Sequence, residues 1–338
     1  MEALYYAARE GLLSEVKNLL NNTSYDQGNI NWALITATQN EHLEVVEYLV
    51  EKGANVRARN NLALIKAVQI GNLKIVKYLV DNGATINDIF RNTSAINEAS
   101  KNGHLDIVIY LIGKGVDFVA QHNEALISAV WNGHLEVVKF LVWSGADVEA
   151  RDNSVLFYAA QNGNLVIVDF LVKKGAKVTA RNNLALITAA KFGHLAVVEY
   201  LVKKGADVKA QNNQALINAA KYGHLAIVEY LVNKGADVQA QNNEALYNSV
   251  ANWRLPVVNF LLNLGARDQD YRALTKLIEK ENEDIIKRLL EYYYPREVIE
   301  DLLPQTKNPK IISLLQDYLN QKFLISSEEV INSKINAD

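Results

Sequence analysis

The chain has 338 residues, 49% hydrophobic and 22% charged, with a formal net charge of −3, a balance that allows a buried core. A pI near 6.1 gives no overall attraction to phosphate backbones or anionic membranes, so neither nucleic acid nor a membrane is expected as partner. The absence of cysteine excludes disulfides, thiolate zinc ligands and a cysteine nucleophile.

From its first residues the chain reads as short paired helices. Residues 1–22 are amphipathic and lack the apolar segment of a secretion signal. No later stretch reaches the roughly 20 apolar residues of a membrane span, so a cytoplasmic location is expected. A unit beginning ALxxA then recurs, with copies starting at Ala3, Ala33, Ala63, Ala95, Ala125, Val155, Ala185, Ala215 and Ala245. The step is 30 residues except before Ala95, where an extra pair within NDIFRNTS lengthens the connection. A fixed period of this size marks a stacked repeat architecture.

The copy from Ala185 shows how each unit folds. Ala185, Leu186, Ala189 and Ala190 recur at helical spacing, and the small alanines admit a close neighbour. Asn183 is placed as the N-cap and Gly193 as the left-handed stop. Leu195, Val197, Val198, Leu201 and Val202 form the apolar stripe of a second helix, with Glu199, Lys203 and Lys204 on its wet side. Gly205 ends it, and ADVKAQNN is expected to run extended to the next unit.

After Gly265 the pattern loosens. ALTKLIEKENEDIIKRLL from Ala273 and VIEDLLPQTKNPKIISLLQDYL from Val298 keep the paired rhythm as one or two divergent closing repeats. The expected organisation is nine repeats over 1–268, capping repeats over 269–319, and a tail or short helix over 320–338, with Ser326 and Glu329 as its capping box.

The block GHLxVVxYLVxKGADV resembles the second helix and C-terminal turn of ankyrin repeats. The resemblance covers about 260 residues well and about 320 loosely. It implies an all-α solenoid of about ten to eleven helix-turn-helix units. The usual GxTPLH segment is contracted here to NNxALI, so three residues are missing and the projecting fingers should be short. This contracted form resembles the arrays of giant viruses of amoebae and, less closely, ankyrin proteins of intracellular bacteria.

The motifs for catalysis and cofactors are missing: there is no HExxH, GxSxG, kinase set, EF-hand or phosphate loop. Neither an enzyme nor a cofactor is expected. His42, His104, His134, His194 and His224 share one place in the repeat, which invites a metal reading. Equivalent positions in stacked helices lie about 8–10 Å apart, too far for two imidazoles to share a zinc. Hydrogen bonds at the turns are the expected role.

Positions that vary between repeats and point outward are free to be specific. In ankyrin proteins the inner helices line a concave partner-binding face, and the resemblance carries that role to Lys66, Gln69, Ile70, Lys101, Trp131, Tyr158, Lys191, Phe192, Lys221 and Tyr222. Exposed aromatics among cations have the composition of interface anchors, although each ring could instead pack against the next turn. Residues 181–240 hold more Lys and Arg than Asp and Glu, and residues 281–338 hold fewer, so an acidic, partly apolar partner suits the middle. The sequence thus leads to a monomeric, non-catalytic scaffold for protein partners, with a host protein implied if the origin is viral. The alternative is a ubiquitin-ligase adaptor or translocated effector acting through its C-terminal segment.

Overall fold

The computed structural model describes residues 2–86, 94–119, 123–292 and 294–324. Every regular element among these residues is helical, and the chain divides into two compact units, Met1–Lys177 and Val178–Asp338. In the first unit, pairs run from Glu2–Arg9 with Leu13–Asn22 to Ala150–Gln161 with Leu165–Lys173. In the second they begin with Ala180–Phe192 and Leu195–Lys203 and end with Arg296–Leu302 and Pro309–Leu319.

The core of each unit is a column of small and branched side chains. Leu186, Ala189 and Ala190 of one inner helix and Val197, Val198 and Leu201 of its outer partner are all buried, the face their spacing predicts. Alanine leaves room between inner helices, which pack on one another far more closely than the outer helices do. Removing such apolar surface from water contributes about 25 cal/mol per Å².

The connections depart from the expected extended run. After Ala206 the chain turns at once: Asp207 Oδ1 accepts from Lys209 N at 2.8 Å, and Asp207 O accepts from Ala210 N at 3.2 Å. Gln211, Asn212 and Asn213 then stand in succession in the left-handed region, with φ of 49°, 55° and 65°. The same triplet occurs at Arg59–Asn61, Arg151–Asn153, Arg181–Asn183 and Gln241–Asn243. With three residues fewer than the longer ankyrin unit, the finger is closed by a single left-handed turn. Asn tolerates that conformation best among non-glycine residues.

Asn183 therefore does not act as the expected N-cap. Its buried Oδ1 accepts from Asp207 N at 2.9 Å, in the finger that follows. Asn213 does the same for Asp237 N at 2.8 Å and Asn243 for Arg267 N at 3.0 Å. In the first unit, Asn61 holds Thr85 N at 2.9 Å, Asn123 holds Asp147 N at 3.3 Å and Asn153 holds Lys177 N at 2.8 Å. Each carboxamide ties one finger to the next and satisfies a backbone donor that would otherwise be stranded.

The second unit closes around a tyrosine cluster. Asp268 caps Arg272–Glu279 by accepting from Ala273 N at 2.9 Å and Leu274 N at 2.7 Å. Tyr294, 2% exposed, donates to Asp268 at 3.4 Å, and its own N–H donates to the Tyr318 hydroxyl at 2.6 Å. Burial raises the Asp268 carboxyl above the usual carboxylate range, and burial together with the adjacent carboxylate pushes the Tyr294 phenol far above its own.

Candidate functional site

Four of the five equivalent histidines bond main-chain carbonyls at turns. His42 Nε2 bonds Arg9 O at 2.8 Å and His104 bonds Gln69 O at 3.0 Å. His134 bonds Lys101 O at 2.9 Å, and in the second unit His224 bonds Lys191 O at 3.0 Å. Each ring reaches the end of the preceding inner helix and satisfies one of its open carbonyls. Arg254, at the same place one repeat later, bonds Lys221 O at 3.2 Å. Where Asn replaces His the solution changes: Asn72 and Asn164 cap their own outer helices, each at 3.1 Å. Among the described residues, no group of three His, Asp or Glu side chains could hold a metal ion.

The inner-helix residues of the first unit form two separate groups. Lys66 Nζ donates to Gln69 Oε1 at 3.4 Å, and Gln69 Nε2 donates to Glu98 Oε2 at 3.2 Å. Gln69 thus links Lys66 to Glu98 of the next repeat. Ile70 is half-buried beside it, and Lys101 is exposed. Trp131, 44% exposed, meets Tyr158 edge-on at 5.2 Å. Tyr158 in turn meets Phe157 at 5.0 Å, and Asn162 Nδ2 donates to Trp131 O. The rings brace one another while leaving an open indole face.

In the second unit Lys191, Phe192, Lys221 and Tyr222 come together. The Lys191 ammonium lies 5.3 Å from the Phe192 ring and 5.9 Å from the Tyr222 ring, and Lys221 lies 5.9 Å from Tyr222. Tyr222 is stacked on His224 at 6.5 Å, so the bond of His224 to Lys191 O also steadies the ring. Phe192 remains 44% exposed and Tyr222 38%. Neither lysine has a carboxylate within ion-pair distance among the described residues.

Two further exposed rings lie outside the expected set of binding residues. Trp253, at a turn-glycine position, has φ of 59° and lies 5.3 Å from the Lys280 ammonium, extending the cation and ring pattern by another repeat. Its signal was present, since Lys280 aligns with Phe192. On the outer helices of the first unit, Trp143 is 66% exposed and meets Phe170 at 6.5 Å. Comparing outer-helix positions between repeats would have found it, because Glu51, Asp81 and Lys173 occupy that place elsewhere. The lengthened finger with Ile89, Phe90 and Arg91, and the tail with Ser326 and Glu329, lie outside the described residues.

The family model described as ankyrin repeats (3 copies) matches residues 4–90, 87–152, 149–212 and 209–271. An ankyrin repeat protein of Acanthamoeba polyphaga mimivirus is 49% identical over 130 residues, which are 38% of this chain and 26% of the relative. The match thus spans about a quarter of the viral protein's length. No described helix is long and apolar enough to cross a membrane.

Proposed function

The chain belongs to the ankyrin-repeat family, and we propose that it is a non-catalytic scaffold that holds a protein partner on the inner-helix faces of its units. Ankyrin repeats generally serve protein–protein interaction, and the identity of the partner lies in the side chains that vary from unit to unit. The observation that carries the reading is the exposure of Trp131, Phe192 and Tyr222 at positions that vary between repeats, aligned with Gln39 or Lys101 in one case and with Asn102 or Ile70 in the other. Large exposed rings fit interface anchors, which concentrate binding energy in few residues. We assign it a monomeric, cytoplasmic role. If the chain shares the origin of its viral relative, the partner is a protein of the infected cell.

Affinity capture with mass spectrometry identifies the partner, and a triple variant tests the surface. Trp131→Ala with Phe192→Ala and Tyr222→Ala is expected to abolish capture while helicity and melting are retained. Undiminished capture by a folded triple variant overturns the assignment.

A further inference from the structure

Lysines on the inner helices are used in two ways. Lys66 is held in a side-chain chain ending on Glu98, and Lys276 is paired with Glu279 at 2.5 Å. Lys191 and Lys221 instead lean over rings at 5.3–5.9 Å. The carbonyl oxygens beneath them are already taken, that of Lys191 by His224 and that of Lys221 by Arg254. The face therefore offers ammonium donors and apolar ring surface, with those main-chain acceptors closed.

Resting on the reading of this face as the binding surface, we propose that it takes an extended acidic peptide segment of the partner, with carboxylates on Lys191 and Lys221 and an apolar side chain against Phe192 and Tyr222. The spacing favours this occupant. Lys191 and Lys221 are equivalent positions on packed helices, about 8–10 Å apart. A polyproline-II strand rises about 3.1 Å per residue and returns to the same face every third residue. Carboxylates three residues apart thus stand about 9 Å from one another and meet successive lysines. The residues between them turn their sides to the rings. Carboxylate-to-ammonium contacts here add to the ring attraction rather than replace it, because both rings already sit beside the cations.

A single-stranded nucleic acid also uses rings and cations, but it needs a basic track along its backbone. Here Lys191 and Lys221 stand in the last turns of their helices, and the fingers at the opposite ends mix Lys209 with Asp207 and Asp237, so no continuous basic track runs along the face.

The test uses the full chain and three fluorescent probes in anisotropy titrations: a synthetic peptide of four Glu-Pro-Phe triplets, its Gln-Pro-Phe counterpart, and an oligo-dT strand. The Glu peptide is expected to bind at least tenfold more tightly than the other two, and to weaken as salt rises. Lys191→Glu with Lys221→Glu is expected to weaken it at least tenfold with melting unchanged, since both side chains are exposed. Equal binding of the Glu and Gln peptides, or tighter binding of oligo-dT, overturns the acidic-peptide assignment. Capture of the natural partner separates the two levels. If the aromatic triple variant loses the partner while the charge-reversed variant keeps it, the surface stands and the acidic class falls. If neither variant affects capture, both fall.

Discussion

His224 lays its imidazole over Gly193: a Cβ built on that glycine would come within 2.6 Å of the ring. The same relationship joins His42 to Gly11, His104 to Gly71 and His134 to Gly103, while Arg254 covers Gly223. Left-handed turns without glycine stand at Glu41, Trp253 and Glu281, and there the following repeat carries Asn72, Asn282 or Asn308. A short carboxamide leaves room for a side chain that an imidazole does not. The turn glycine is thus set by the next repeat as well as by its own φ.

Gly193→Ala should therefore cost about 2–3 kcal/mol, of which about 1–2 kcal/mol is the left-handed backbone penalty and the remainder the displaced ring. Adding His224→Asn is expected to recover the second part, so the double variant melts above the sum of the single effects. Strict additivity in denaturant titrations would show that the ring and the turn are independent.

The finger ties can be separated from the turn they sit in. Asn213 is 6% exposed, left-handed, and accepts from Asp237 N at 2.8 Å. Asn213→Gly keeps the conformation and strands the amide, for a loss of about 1–3 kcal/mol. Asn213→Ala should lose about 1 kcal/mol more, because alanine resists positive φ. Equal stability of the two variants would assign the whole effect to the hydrogen bond.

The helix pairs were legible because Leu195, Val197, Val198 and Leu201 repeat at 3.6-residue spacing and Gly193 and Gly205 mark the stops. The finger was not, since nothing in Gln211 or Arg181 announces a left-handed residue. The paired Asn residues read equally well as caps. Their true partners lie 24 residues ahead, a distance that only the stacking register defines. The site shows the same limit. Its columns of Lys191 with Lys221 and Phe192 with Tyr222 follow from alignment alone. The tether on Lys66 does not, as it depends on Gln69, which in turn reaches Glu98 across a repeat.

The closing cluster gives a pH dependence with a definite sign. Burial raises the Asp268 carboxyl, so the folded chain holds that proton to higher pH than the unfolded chain, whose aspartate titrates near pH 3.9. The associated stability is fully present below the unfolded value and is lost as pH rises through the folded one. Asp268→Asn has no such loss, although its amide replaces one of the two oxygens that accept from Ala273 and Leu274. The melting advantage of the parent over Asp268→Asn should therefore shrink from pH 4 to pH 7. A widening advantage would mean that the ionised carboxylate is the better cap.

Trp131 distinguishes a surface anchor from a core ring. At 44% exposure, with its edge on Tyr158 at 5.2 Å, its contribution to folding is confined to the buried edge and one aromatic pair, about 0.5–1.5 kcal/mol for the pair. Trp131→Ala should destabilise by no more than about 2 kcal/mol, whereas Leu186→Ala, in the fully buried column, should cost about 2–5 kcal/mol. Phe192→Ala is expected to behave like Trp131→Ala. The informative measurement sets urea midpoints beside partner affinity: an anchor loses tenfold or more in affinity with a small shift in midpoint. A loss of about 3–5 kcal/mol on truncating Trp131, the range of a buried ring, would place the indole in the packing of its unit and leave partner recognition to the lysine and aromatic face of the second.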